Sequence, residues 1–404
     1  MGTRLDDVPA ELVVDFDVYD ESLLEDVHER LARLRETVPV AYCPARGGYW
    51  LVTRYDDVLE VIRNDDIYSA QETALAGDAA HQLPPLHYDP PEHTAYRTLI
   101  NPVFSPARMK AVTEDIRVTA NTLIDRFARE GRCEFVSAFA HPLPTTTFLS
   151  LMGWPLDDEP LLTGWTENLL VGTSDESPEE LKSRRAVIRS QVQGYFNRMV
   201  DDRREHPDIE DVTGYLLLAR YGNERPLTDD ELNRILNLLM VAGLHTVRGI
   251  LSYGMIHLSE SPAERQRLID DPSLIPDAVE ELLRLGVGTA PGRMVTQPVT
   301  LRGVALQPGD RVLSFLSAAN RDPEVFDAPD ELRIDRDENR HLTFAAGRHR
   351  CLGSNLARVE LTIAVEELLR RIPDFRVDPT RTPRFHASQI RGVRELHLEF
   401  TPER

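Results

Sequence analysis

Apolar positions recur at helical spacing over most of the chain. Leu23, Leu24, Val27, Leu31 and Leu34 fall on one side of Glu21–Val38, which predicts an amphipathic helix. Val40–Cys43 and Tyr49–Val52 are short alternating runs around Pro44-Ala45-Arg46-Gly47-Gly48, the pattern of a β-hairpin. Thr53 then stands where the cap of a helix through Val58 and Ile62 is expected. Gln71–Pro91, rich in Ala, Pro and His, reads as a long loop. From Pro91 to Ser273 the pattern is almost all helix. Within it, Glu179–Glu205 is long, charged and amphipathic. Thr228–Glu260 is longer still, opens on the capping-box pattern Thr228-Asp229-Asp230-Glu231, and carries Gly243 and Gly249 inside an apolar run. A helix at Ile275–Leu285 precedes short strands at Val299–Leu301, Val304–Leu306 and Arg311–Phe315. Their turns are Arg302-Gly303 and Gln307-Pro308-Gly309-Asp310, and a last helix runs over Asn355–Arg371. No internal repeat or low-complexity linker divides residues 1–404. The expected class is mainly α with small β-sheets, as one domain.

Charge narrows the functions open to such a chain. Its 46 basic against 67 acidic residues give a net charge of −21, which opposes a general nucleic-acid binder. Lys110 and Lys182 are the only lysines, an arginine bias that carries no functional meaning by itself. The most apolar stretch, Ile235–Leu244, contains Asn237 and is short of the ~20 residues a membrane span needs. Met1–Asp20 is acidic and has no apolar core like that of a signal peptide. Cys43, Cys133 and Cys351 are odd in number and far apart, which argues against a disulfide framework. A cytoplasmic globular protein acting on small molecules is expected, monomeric, with no nucleic-acid or membrane partner.

The chemistry concentrates in Phe344-Ala-Ala-Gly347-Arg-His349-Arg-Cys351-Leu-Gly353, followed directly by a helix. A cysteine flanked by glycines, beside Arg348, His349 and Arg350 and ahead of a helix N-terminus, sits where thiolate is favoured. Taken alone, a buried structural cysteine is the plainer reading. Zinc would need three more ligands, and although His341 and His349 are near, no CxxC or HxxxH partner exists. The glycines point instead to a backbone kept clear for something large and flat.

These ten residues resemble the haem-binding loop of the cytochrome P450 family, Phe-x-x-Gly-x-His/Arg-x-Cys-x-Gly. Three further motifs follow the family's order. Glu281-Leu-Leu-Arg284 is similar to its Glu-x-x-Arg. Asp89-Pro-Pro-Glu-His93-Thr-Ala-Tyr-Arg97 is similar to the start of the C helix in soluble bacterial members. Ala242-Gly243-Leu-His245-Thr246 stands at the oxygen-binding stretch. The resemblance spans nearly the whole chain and implies the single-domain P450 fold with haem b, iron protoporphyrin IX, as cofactor. It implies Cys351 as axial thiolate, whose electron donation favours O–O heterolysis over reversible oxygen binding. Phe344 would pack near that sulfur, and Gly347 and Gly353 would keep the loop compact. His93, Arg97, Arg293 and His349 would meet the haem propionates; His93 and Arg97, at i and i+4, share a helix face. Glu281 and Arg284 would form a buried structural pair, with Arg333 or Arg336 as third member.

The departure from the family pattern is His245, where Asp or Glu usually precedes the Thr. Thr246, His245, Gly243 and Ala242 are the candidate catalytic residues. His245 either relays protons or points away and pairs with a carboxylate or carbonyl. Substrate would be framed near Leu83–His87, Leu169–Thr173, Leu238–Thr246, Val287–Pro291 and Ser388–Ile390, with Leu86, Leu169, Leu239, Val287, Thr289, Ala290 and Gln389 as lining. This mostly apolar set suits a small hydrophobic substrate. No flavin, nicotinamide or iron–sulfur motif is present, so a separate ferredoxin and ferredoxin reductase are implied, docking at Arg348, Arg350, Arg108 and Lys110. The expected reaction inserts one oxygen atom of O2, most often as hydroxylation. A peroxide-driven or coupling enzyme, and a non-catalytic haem sensor, are the alternatives.

Overall fold

The computed structural model describes residues 2–71, 82–170, 178–286 and 288–404. Its axis is the 32-residue helix Asp229–Glu260, hereafter the central helix. Thr228 caps it, and the capping box is complete: the Thr228 hydroxyl accepts from the Glu231 N–H while the Glu231 carboxylate accepts from the Thr228 N–H. By length and composition this helix is apolar enough to cross a membrane, but 72% of its most apolar window is buried inside the protein. The ten-residue apolar run read from the sequence, Ile235–Leu244, is only part of this longer apolar helix.

Two hydrophobic cores divide the helix between them. Leu232, Ile235, Leu236, Leu239, Met240 and Leu244 pack with Tyr96, Leu99, Trp154, Tyr195 and Phe196. Val247, Ile250, Leu251, Met255 and Leu258 pack instead with helix Thr113–Asp125, helix Ile275–Gly286 and helix Ser354–Arg371. The cores change over between Leu244 and Val247, so His245 and Thr246 stand at the seam.

A five-stranded sheet flanks the helices. Its strands are β1 (Val40–Cys43), β2 (Tyr49–Val52), β3 (Tyr68–Ser69), β4 (Gly292–Val295) and β5 (Arg311–Ser314), in the order β1-β2-β5-β4-β3. β1 and β2 form the predicted hairpin, with Val40 opposite Val52. β5 runs parallel to β2 and antiparallel to β4, where Val312 faces Arg293. Alternate residues serve opposite faces: Val40, Tyr42, Trp50, Val52 and Val312 enter one cluster, Ala41, Cys43, Tyr49, Leu51 and Leu313 another. A C-terminal hairpin pairs β6 (Arg384–His386) with β7 (Gly392–Glu395).

Several local expectations need correction. Thr53 does not cap the helix Tyr55–Arg63; its hydroxyl donates to the Pro39 carbonyl, and Asp322 accepts the Tyr55 N–H at 2.9 Å. Glu21–Val38 divides into a single 3₁₀ turn, Glu21–Leu23, and the helix Val27–Thr37. The helical half is interrupted by strand Arg132–Glu134, paired with His397–Glu399, and by a small hairpin of Arg220–Tyr221 with Arg225–Pro226. Residues 72–81 of the expected loop lie outside the described residues.

Candidate functional site

The loop before helix Ser354–Arg371 is shaped by its backbone. Ala345 and Gly347 take left-handed φ values of 53° and 72°. A side chain on Gly347 would also bring its Cβ to 3.2 Å from the Arg63 Cα, so the glycine meets both a turn and a close approach. The Cys351 N–H donates to the Phe344 carbonyl at 2.8 Å and closes the loop. Cys351 is the exposed one of the three cysteines, yet burial is the largest influence on its thiol and pushes the pKa up. The Gly353 N–H and then Arg97, Arg350 and Arg358 act the other way. A sulfur that is accessible and still desolvated faces an interior space, not open water. The expected bias toward thiolate is therefore outweighed in the protein alone. Phe344 is buried under Arg358, whose guanidinium lies 4.6 Å from its ring centre and is held by Glu280, which also contacts His341 at 3.1 Å.

A basic cluster forms beside this loop. The His93 and His349 rings are 4.2 Å apart. Among the described residues, both ring nitrogens of His93 and Nε2 of His349 are buried without a hydrogen-bond partner. Arg293, projecting from β4, is buried and donates to the Gly292 carbonyl at 2.7 Å; Arg97 donates to the Asn101 side chain at 2.8 Å. Burial, then Arg293, His93, Arg97 and His87, drives the His349 pKa down to about 2. Burial draws Arg293 to about 10, opposed by Asp89 and Asp65. Among the described residues no carboxylate figures in the shift of His349 or of Arg97. Asp65 and Asp89 act on His93 and Arg293, so the cluster's charge is only partly offset, and its donors suit an anionic group. His87 belongs to this group by proximity, a member that the motif pattern missed.

The central helix presents its seam to an open space. Ala242 is exposed and Gly243 and Thr246 are half-buried, although Leu239, Met240, Leu244, His245 and Val247 around them are buried. A Cβ built on Gly243 meets nothing within 4 Å, and the same holds at Gly353. The Thr246 hydroxyl donates to the Ala242 carbonyl at 2.9 Å. His245 is buried and turned onto His386, ring centres 4.9 Å apart. Burial, then Arg248, His386 and His141, holds its pKa well below the usual imidazole range. Its Nε2 is buried without a hydrogen-bond partner among the described residues, so neither expected pairing, with a carboxylate or a carbonyl, is made there. His386, His141 and Arg248, which act on it, and Glu167, which pairs with Arg248, lie in no motif.

Glu281 and Arg284 are both fully buried and form a two-pronged pair at 2.7 Å on each prong. The third member is Arg336, whose Nε lies 3.1 Å from both Glu281 oxygens. The Arg333 side chain goes to Asp327 and Glu331. Arg284 also donates to the carbonyls of Asn320, Pro329 and Glu331, and so fastens the segment leading into the Cys loop.

Of the expected substrate-lining residues, Leu239 and Ala290 are buried and Leu169 and Thr289 half-buried. Gln389 and Ala290 bind each other through backbone and side chain, and Thr289 bridges to Ile390, so these two segments make one wall. Leu86 sits on a surface turn at 38% exposure. Val287 lies outside the described residues.

Comparison with known proteins gives a consistent result. The family model "Cytochrome P450" matches residues 175–391. Mycinamicin IV hydroxylase/epoxidase of Micromonospora griseorubida is 36% identical, over 91% of this chain and 94% of that protein. Linalool 8-monooxygenase of Pseudomonas putida is 30% identical, over 96% and 98%. The crystal structure of CYP109E1 from Bacillus megaterium in complex with testosterone superimposes with a TM-score of 0.85 at 29% identity, covering 95% of this chain and 100% of that one.

Proposed function

The chain belongs to the cytochrome P450 family and is a monooxygenase, and from that premise we propose that it inserts one oxygen atom of O2 into a small, largely hydrophobic organic substrate, with hydroxylation as the principal outcome. The observation that carries the assignment of residues is the cluster of His93, Arg97, Arg293 and His349, which sets buried imidazole nitrogens, unpartnered among the described residues, beside two guanidinium groups. Family membership implies a haem-iron cofactor, and the residues fit it. Two carboxylates would meet the cluster's donors, and Gly243 and Gly353, where a Cβ meets no described atom within 4 Å, leave the backbone open to close approach. Cys351 would hold the iron of haem b, with Phe344 and Arg358 packed behind it. When bound there, thiolate-ligated haem supplies dioxygen activation.

The chain's own residues then do the rest. Ala242, short and exposed, leaves room above the seam. Thr246 holds a hydroxyl that exchanges its Ala242 carbonyl for a hydrogen bond into the open space. The apolar wall of Leu239, Leu169 and Ala290 excludes water, while Thr289 offers a polar contact. Electrons come from a separate ferredoxin and reductase. A peroxide-driven or coupling reaction is the second reading, favoured by one observation: the residue in the usual acid's place is a neutral imidazole turned onto another histidine.

An optical titration of the ferric protein with terpenoids, aromatics and macrolactones tests the proposal. A high-spin shift of the Soret band with one class identifies the substrate type. Cys351→Ser is expected to abolish the thiolate-type band of the reduced carbonyl complex; retention of that band in the variant overturns the ligand assignment.

A further inference from the structure

Position 245 carries an imidazole where the family places an acid, and its surroundings specify which imidazole. His386 ends β6, and its Nε2 lies 3.0 Å from the Ile390 carbonyl. A carbonyl oxygen can only accept, so Nε2 of His386 carries the hydrogen and Nδ1 keeps a lone pair. Among the described residues, that Nδ1 is buried without a partner, and so is Nε2 of His245. The two rings stand 4.9 Å apart, inclined at 77°. Both turn their Cε1 edges toward the same point: a Cβ on Gly392 would stand 2.7 Å from Cε1 of His386 and 3.6 Å from Cε1 of His245. A residue without a side chain at 392 is what leaves room for the His386 ring against His245.

The charged groups around the pair explain why neither ring takes a proton. Arg248, from the central helix, donates to the Val393 carbonyl at 3.2 Å, lies 3.3 Å from Nδ1 of His141, and pairs with Glu167. Arg394, from β7, and Arg248 both bear on His386, whose pKa burial and these charges lower to about 4; the Ile390 carbonyl and Glu167 act in the opposite direction. His141 is likewise lowered to about 4, first by burial and then by Arg248. Glu167, the carboxylate that bears on these rings, is already engaged by Arg248. Two neutral imidazoles with one orphaned nitrogen each are complementary when His245 carries its hydrogen on Nε2 and His386 accepts it on Nδ1.

We propose that a small rotation of the two rings, whose orphaned nitrogens do not yet meet in this structure, brings them together, so that His386 acts as a positioning residue that accepts a hydrogen bond from Nε2 of His245 and fixes that ring in a single neutral tautomer. It rests on the monooxygenase reading and deepens it: position 245 holds a buried neutral imidazole and not an acid, so protons reach Thr246 by another donor. The Ile390 carbonyl that sets the His386 tautomer belongs to the substrate-side wall through the Thr289 bridge. The pair therefore ties that wall to the oxygen-side turn of the helix.

The test is histidine-ring nitrogen NMR on the holoenzyme in its diamagnetic ferrous carbonyl form, with signals assigned by single substitutions. Both rings are expected as neutral Nε2–H tautomers, unchanged over about pH 6–8. In His386→Phe, His245 is expected to lose its single-tautomer pattern and move to averaged ring shifts. Gly392→Ala, which displaces the His386 ring without removing a polar group, is expected to do the same if His386→Phe does not fold. Wild-type His245 found as the Nδ1–H tautomer, or His245 signals unmoved in the folded variants, would overturn the proposal. Failure of the monooxygenase reading shows separately, as absence of oxygenated product with the ring signals intact.

Discussion

Arg293 is a charge buried on a strand with a backbone carbonyl as its hydrogen-bond partner, and a charge in that position costs folding free energy unless something neutralises it. If that something is a pair of haem carboxylates, the cofactor-free and loaded proteins must respond to its removal in opposite ways. Arg293→Met is expected to leave the cofactor-free protein as stable or more stable, by up to about 1–4 kcal/mol, because replacing a costly buried ion by an apolar group relieves desolvation. The loaded protein is expected to release haem on the order of tenfold faster, the loss of one charge-assisted contact. Urea unfolding of both forms and haem transfer to a scavenger protein check this; equal destabilisation of the two forms would mean Arg293 is merely structural. At this scale the Cys loop was readable in the sequence because its chemistry demands particular residue types at fixed spacing: a glycine where φ is 72° and Cβ has no room, and a thiol between glycines. His386 was not readable. A histidine contributed by a distant hairpin carries no local pattern, and only the fold brings it to His245.

Helices were legible to the extent that their determinants are local. The box at Thr228 and Glu231 spans four residues, and it forms as the pattern required. Thr53 failed as a cap because the donor it was meant to satisfy, the Tyr55 N–H, is met by Asp322 from far along the chain. The two cases set the limits of pattern reading: a cap that can be supplied from anywhere is not settled by its neighbour. Thr228→Ala is expected to cost about 1 kcal/mol in urea unfolding. Helix Ser354–Arg371 carries a different kind of hidden contribution. Glu360 is buried, and burial raises its pKa to about 8, with Thr147 opposing weakly. In the unfolded chain the carboxyl ionises near its ordinary 4.5, so between there and pH 8 the folded state holds a proton that the unfolded state has released. Stability from this group is complete below the lower value and falls as pH rises toward the upper one. Glu360→Gln is therefore expected to be nearly neutral at pH 4 and increasingly stabilising to pH 8, gaining at most roughly 1.4 kcal/mol for each step of one in pH. A variant equally stable relative to wild type at both ends of that range would show that Glu360 titrates normally.

At the scale of the molecule, the order of motifs along the chain revealed the family, while the seam between two cores at Leu244–Val247 is a property of packing that periodicity cannot display. Net charge was legible but misleading about where charge acts. An acidic ferredoxin is repelled by the −21 of the whole and attracted only by a local basic patch. Arg348, Arg350, Arg108 and Lys110 were the expected patch, and their surroundings rank them. Arg348 lies 2.9 Å from Asp65, so its charge is already offset. Lys110 is exposed at the end of helix Pro106–Ala111, and Arg350 is exposed in the Cys loop beside Cys351. The two segments are joined, since the Asn355 side chain donates to the Phe104 carbonyl at 3.0 Å. Lys110→Glu and Arg350→Glu are therefore expected to slow reduction by an acidic ferredoxin on the order of tenfold at low salt, through the association step. Arg348→Glu is expected to do less, because it removes a charge that Asp65 had already screened. Stopped-flow reduction across an ionic-strength series decides the matter. All three variants should converge on wild type as salt shortens the range of the field to about 3 Å near 1 M, whereas a defect that persists there belongs to the Cys loop itself and not to docking.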